Sequence, residues 1–235
     1  MVIPIYDKDP LEGSGVPFVT YGLMAINIVV FFLEMSLSPA NDAVFLQNVG
    51  FIPNAIFGDP GFGRTLPSTL SPLTYMFVHG GWGHIIGNML FLWIFGDNIE
   101  DAVGHLRFLA FYLVCGIAGA LAHGLADVHS PEPLIGASGA IAGIVAAYLM
   151  LRPCAKIEVL IFGIIPRAID AYWVLGFWVA TQAWQILKHA DDGVAWWAHA
   201  GGLAAGGVLI ILMRRPGIEL FACVEPREAP PRAPA

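Results

Sequence analysis

Four residues of this 235-residue chain stand out for the chemistry they could do together: Ser138, His199, His84 and Asn88. A serine hydroxyl is a weak nucleophile at neutral pH and needs a neighbouring base, most often an imidazole, to take its proton. When such a serine attacks a carbonyl, negative charge develops on the carbonyl oxygen. Histidine and asparagine side chains, or free backbone amides, can stabilise that charge. Ser138 lies in Gly136-Ala137-Ser138-Gly139-Ala140, which reads as a loop-to-helix junction. First-turn amides without a partner in the helix lie beside a serine so placed, and the glycines let the backbone come close to a reacting carbonyl. The G-x-S-x-G elbow of soluble hydrolases is not met, because Ala140 holds its last position.

Taken alone, Ser138 also fits a small-residue packing helix whose serine bonds to its own backbone. His199 shifts that balance. It opens an apolar run as His199-Ala200-Gly201-Gly202, and Gly202 and Gly206 stand four apart, as do Gly139 and Gly143. Small-xxx-small faces of this kind let two helices approach closely. They bring a serine and a histidine that are distant in sequence potentially within hydrogen-bond reach. Asn88 falls one helical turn after His84 on the same face. That pair fits donors to an oxyanion and an interhelical polar clamp equally well. His79 and His123 read as structural or interfacial, and His105, His129 and His189 fall at expected surfaces.

The elements that must position these residues follow from composition. The chain is 57% hydrophobic and only 12% charged, about half the charge of a soluble domain. Its mean hydropathy is +0.70. Eleven scattered bases against 18 acids supply no basic patch, which excludes nucleic acid as a partner. Three cysteines cannot form a disulfide framework. The apolar content excludes disorder for most of the chain.

A membrane-crossing helix needs about 20 mostly apolar residues. Six candidates appear: Phe18 to Met35, Leu73 to Phe95 with Gly80-Gly81 interrupting it, Leu106 to Leu125, Ser138 to Leu151, Ala168 to Leu187, and Ala195 to Met213. The expected fold class is therefore all-α, a polytopic membrane protein built as a six-helix bundle. The nine-residue apolar stretch Ile157 to Ile165, broken by Pro166-Arg167, reads as interfacial rather than as a seventh span. Residues 1–17 read as a cytoplasmic segment, 18–215 as the membrane domain, and 216–235 as a Pro-rich, disordered cytoplasmic tail. No cleavable signal peptide is expected, since Asp7, Asp9 and Glu12 outweigh Lys8 in the first 17 residues.

With a cytoplasmic N-terminus, nine basic residues (Lys8, Arg107, Arg152, Lys156, Arg167, Arg214, Arg215, Arg227 and Arg232) fall inside and two (Arg64 and Lys188) outside. That bias places both termini in the cytoplasm. In this topology His84, Ser138 and His199 lie near the entering ends of three spans, at similar depth in the outer half of the bilayer. Polar groups within spans are costly and mark functional sites by default. Other intramembrane chemistries fit less well. There is no H-E-x-x-H for a zinc site. Asp97, Glu100, Asp101 and Asp170 are not paired at depth, and the two halves lack the repeat symmetry of a secondary transporter. Neither a metal nor a cofactor is expected.

These residues and their order resemble the rhomboid family of intramembrane serine proteases. The resemblance rests on His79-Gly80-Gly81-Trp82-Gly83-His84-Ile85-Ile86-Gly87-Asn88, on Phe95-Gly96-Asp97-Asn98-Ile99-Glu100-Asp101, on Gly136-Ala137-Ser138-Gly139-Ala140-Ile141-Ala142-Gly143, and on Ala198-His199-Ala200-Gly201-Gly202 through Gly206. It extends over roughly Pro17 to Met213. It implies a Ser138/His199 catalytic dyad with no third acid, with His84, Asn88 and the Ser138 amide near the oxyanion. It also implies a structural Glu100, and a membrane-embedded first loop from Ser36 to Ser71 carrying Phe45, Leu46, Phe51, Ile52 and Phe57. A fifth span rich in Trp173, Phe177, Trp178 and Trp184 would serve as a lateral gate. Some members place an aromatic four residues after the nucleophile, stacked on the catalytic histidine. Here that position is Ala142, so other groups must orient His199, with Trp196 and Trp197 as candidates.

The expected substrates are single-pass transmembrane proteins, met in membrane lipid and cleaved in or near their spanning helix. A bacterial inner membrane suits the chain's compactness. The rivals are a rhomboid-like pseudoprotease scaffold, which would have lost the serine or histidine, and a small-solute channel or transporter.

Overall fold

A computed structural model of the chain describes residues 2–7, 15–58, 64–190 and 192–223. The sequence readings that fall on Lys8, Asp9, Glu12, Arg227, Arg232 and most of the tail lie outside the described residues. Helix α1 (Phe18–Met35) follows Pro17 and ends at Ser36, matching the expected first span. Its exposed first-turn donors are met from another helix, α5 (Trp82–Val103). The Glu100 carboxylate accepts from the amides of Val19 (3.1 Å) and Thr20 (2.7 Å) and from the Thr20 hydroxyl (2.7 Å). An anionic side chain at a helix N-terminus satisfies free amides and complements the helix dipole.

Between α1 and α5 the chain forms α2 (Pro39–Val49) and α3 (Pro53–Phe57), then a 3-10 turn (Ser68–Leu70), the single turn α4 (Ser71–Thr74) and a second 3-10 turn (Tyr75–Phe77). The segment is fastened by its own polar groups. Asn48 Oδ1 accepts from the Thr65 amide (2.7 Å), the Thr65 hydroxyl (2.8 Å) and the Leu66 amide (3.1 Å). Arg64 reaches the carbonyls of Gly50 and Asn48. Of the first-loop apolar residues, Phe51 and Ile52 are fully buried within the protein, while Phe57 is exposed. Phe51 exchanges backbone hydrogen bonds with Leu134, so this loop holds the segment that leads into Ser138.

The centre is built from α6 (His105–Ala126), α7 (Ser138–Leu151) and α9 (Trp196–Met213). Their glycines meet backbone to backbone. A Cβ at Gly202 would run into the carbonyl of Gly139, and one at Gly206 into the backbone of Gly143. On the other side of α9, a Cβ at Gly201 would strike Ala118 and Ala122. Only glycine permits these approaches. Among the described residues, three helices, α1, α6 and α9, are long and apolar enough to cross a membrane, and α7 is a shorter apolar helix.

The molecule is mostly helical, but it is not all-α. Strands β1 (Val2–Asp7), β2 (Lys156–Ile161) and β3 (Ile165–Asp170) form an antiparallel sheet in the order β1-β2-β3. The stretch read as interfacial is most of a hairpin. Alternating β-branched residues favour a strand, with Ile157 and Val159 turned into the core. Phe162 and Gly163 then adopt positive φ values (54° and 76°) to reverse the chain, as tight hairpin turns require.

The hairpin takes residues up to Asp170, so the fifth helix, α8 (Ala171–Leu187), starts three residues later than the sequence suggests. The second expected span is also corrected. The chain breaks at Val78–Gly81, and α5 runs on through the acidic stretch to Val103. It can do so because partners from distant segments engage those acids. Residues 216–223, expected to belong to the tail, return to α7. The amides of Phe221 and Ala222 donate to the carbonyls of Met150 and Leu151, and Cys223 is disulfide-bonded to Cys154.

Candidate active site

Ser138 is the first residue of α7, and His199 lies in the first turn of α9. The glycine contacts that press α7 against α9 bring the two side chains together. His199 Nε2 stands 2.8 Å from Ser138 Oγ. The histidine is 7% exposed, and the serine is partly open to a cavity of about 710 Å³ lined by His84, His123, Glu132 and Trp196 among others. A buried imidazole facing a partly accessible hydroxyl at this distance has the geometry for taking the hydroxyl proton as the oxygen attacks.

His84 lies in the first turn of α5. Three helix N-termini, from α5, α7 and α9, therefore meet at one place, each with the positive end of its dipole. Gly136 lies between them. Its φ of 112° suits glycine, and a Cβ there would collide with His84 Nε2 and lie 3.7 Å from Asn88 Nδ2. The missing side chain leaves a recess bordered by His84, Asn88 and the start of α7. Asn88 is 7% exposed, and its Nδ2 has no hydrogen-bond partner. Gly136 is held in place by its amide, which donates to the Tyr75 carbonyl at 2.9 Å. Tyr75 is anchored in turn through its hydroxyl to the Gly116 carbonyl at 2.7 Å.

The surroundings of His199 differ in part from expectation. Trp196 presents its edge to the imidazole at 5.8 Å and 89°, whereas Trp197 is half exposed. Two groups from α8 support the ring: Trp178, expected from the sequence only as part of the gate, and Gln182, which sequence reasoning missed. Trp178 packs on the ring at 5.8 Å and 35°, and Gln182 Oε1 lies 2.8 Å from His199 Nδ1. Gln182 is 3% exposed. The signal was there, a polar residue within an apolar helix, but histidines, serines and carboxylates drew the reading away from it. The rest of α8 turns Trp173, Phe177 and Trp184 outward. His79 is buried against His84, with ring centroids 5.0 Å apart. His123 lines the cavity, and His105 belongs to the Glu100 cluster at 2.5 Å. Among the described residues, no group of three or more His, Cys, Asp or Glu side chains could hold a metal ion.

Long apolar helices and a serine–imidazole pair at converging helix N-termini are the features of a helical membrane protein with a polar site between its helices. The chain belongs to the rhomboid family: the Rhomboid domain matches residues 68–216, which include Ser138, His199, His84 and Asn88. It is accordingly a multi-pass membrane protein. It is 35% identical over 136 residues to rhomboid protease GluP of Bacillus subtilis, covering 58% of this chain and 25% of that one. It is 32% identical over 148 residues to the mitochondrial rhomboid protein 1 of Saccharomyces cerevisiae, covering 59% and 40%. With RHOMBOID-like protein 1 of Arabidopsis thaliana the match extends over 229 residues at 27% identity, covering 87% of this chain and 56% of that one. The aligned regions thus take in between a quarter and just over half of these relatives.

Proposed function

We propose that the protein is an intramembrane serine endopeptidase that cleaves single-pass transmembrane proteins in or near their spanning helix. The observation that carries this reading is the 2.8 Å contact between Ser138 Oγ and His199 Nε2, set beside a recess with donors on its wall. Ser138 Oγ attacks the scissile carbonyl carbon as His199 Nε2 takes the hydroxyl proton. His84, Asn88 and the Ser138 amide hold the oxyanion. The C–N bond then breaks, His199 gives its proton to the leaving amine, and water hydrolyses the acyl-enzyme through the same base.

In this reading six helices span the bilayer, namely α1, α5, α6, α7, α8 and α9, with both termini in the cytoplasm. The outward aromatics of α8 meet lipid, and that helix admits substrate laterally. A helical substrate must unwind locally to offer its carbonyl, which Gly and Ser make easier, and small side chains fit a narrow recess, so segments with Gly, Ala or Ser near the outer membrane boundary are favoured. Covalent labelling of the purified protein by a fluorophosphonate probe tests the proposal. Labelling is expected in the wild type and absent in Ser138→Ala, and a wild type that neither labels nor cleaves any membrane substrate refutes it.

A further inference from the structure

His199 can act as a base toward Ser138 only in one of its two neutral tautomers. Nε2 must carry the lone pair, so the proton must sit on Nδ1. The hydrogen bonds around Gln182 decide which. Thr181 Oγ1 donates its single proton to the Trp178 carbonyl at 2.6 Å, so toward Gln182 that oxygen can only accept. The Gln182 amide nitrogen donates to Thr181 Oγ1 at 3.1 Å and to the Trp178 carbonyl at 2.8 Å. Flipping the amide would set its oxygen against two acceptors, so the orientation is fixed by α8 itself. Gln182 Oε1 is left facing His199 Nδ1 at 2.8 Å, and an oxygen there can only accept. Nδ1 must therefore hold the proton, and Nε2 is free for the Ser138 hydroxyl.

We propose that Gln182 is a positioning residue: its side-chain oxygen, locked by the α8 backbone, fixes the tautomer and the ring angle of His199 and makes the seating of α8 a condition for a competent base. The proposal rests on the serine-protease reading and deepens it. The structure explains why an amide suits this place. When His199 becomes imidazolium, Oε1 still accepts from Nδ1 and turns its dipole toward the charge. A carboxylate would do so more strongly but would leave an ionised group in the bundle while the histidine is neutral.

The consequence is mechanical. Among the described residues α8 buries only Ala171, Leu175 and Gln182, so it is lightly held. An outward displacement of α8 separates Oε1 from Nδ1 and releases the tautomer, so the base works only when the helix is seated.

The test uses the purified full-length protein in lipid. Nitrogen-15 NMR of labelled histidine, assigned with His199→Ala, is expected to show His199 protonated at Nδ1 and not at Nε2. The opposite tautomer overturns the proposal without any Gln182 variant. Gln182→Leu is expected to lower kcat and the fluorophosphonate labelling rate by about 10- to 100-fold, the consequence of an unsatisfied buried donor, with KM changed less than about twofold. In Gln182→Glu much of the rate returns, and the acid limb of the pH–rate profile moves to higher pH, because a carboxylate beside Nδ1 favours the charged imidazole. Unchanged labelling and kcat in Gln182→Leu refute the positioning role and leave the protease reading intact. A wild type that does not label fails the protease reading itself, and the proposal falls with it.

Discussion

The two ends of the helix bundle both bury polar side chains, and they treat them in opposite ways. At the end where α1 begins, every acid considered is engaged. Glu100, fully buried, accepts from Val19, Thr20 and His105. Asp7 accepts from Asn98 at 2.6 Å and from the Tyr148 hydroxyl at 3.0 Å. Asp101 pairs with Arg215 at 2.9 Å. At the end where α5, α7 and α9 begin, a buried acid, Glu34, accepts from the His79 amide at 3.2 Å, but Asn88 Nδ2 and both ring nitrogens of His79 have no partner, and a glycine keeps a recess open beside Asn88. Buried polar groups are ordinarily satisfied, and an exception calls for an explanation. The satisfied end behaves as structure. In the proposed function, the last partner of the unsatisfied end arrives with the substrate.

Breaking the comparison at its most sensitive point means removing the nucleophile. Ser138→Ala is expected to abolish cleavage, at least about a thousandfold, while the melting temperature of the purified protein changes by no more than a degree or two. A large loss of thermal stability in this variant would mean that the serine holds the bundle together, contrary to the division between the ends. At the other end, Glu100→Ala is expected to cost about 3 kcal/mol, because it strands the α1 amides and the Thr20 hydroxyl in a buried place. Chemical unfolding measures that loss. The fluorophosphonate labelling rate of the fraction that remains folded should match the wild type.

Asn88→Ala is the sharper probe, because the two readings of this residue predict different things. As an interhelical clamp its loss destabilises. As an oxyanion donor its loss lowers kcat by about 100- to 1000-fold and leaves stability unchanged or slightly raised, since an unpaired buried amide is removed. A parallel measurement of kcat and melting temperature separates the two.

The sequence made the two ends legible to different degrees. The apolar helices were plain, because each is a long uninterrupted run with a break at its end: α1 and α7 fall on their expected bounds, and α6 and α9 within one residue. Ser138, His199, His84 and Asn88 could be picked out because polar residues are scarce in such runs. The sheet was hidden for two reasons: β1 pairs with β2 from the far end of the chain, while the adjacent β2–β3 hairpin left a short local alternation of Ile157, Val159 and Ile161 that an apolar, interfacial segment would also show. The acids of α5 looked like the end of a helix because the groups that engage them, Val19 and Thr20 for Glu100 and Arg215 for Asp101, lie far away in sequence. Gln182 was hidden for a different reason. Its meaning lies in the direction of one amide, which depends on how α8 is rotated against α9.

The smallest expected effect tests whether engagement alone is what matters at the satisfied end. Lys156 and Asp170 face each other across β2 and β3, and their charged groups meet at 2.6 Å. The contact is shorter than the Asp101–Arg215 pair, yet the lysine is 46% exposed. Water and salt screen an exposed pair, and ordering the lysine side chain offsets much of the attraction. Lys156→Ala is therefore expected to cost no more than about 0.5 kcal/mol and to leave cleavage unaltered. Raising the salt concentration should remove the difference between variant and wild type. A loss approaching that of Glu100→Ala would show that the sheet, rather than the buried carboxylate cap on α1, is what secures this end of the bundle.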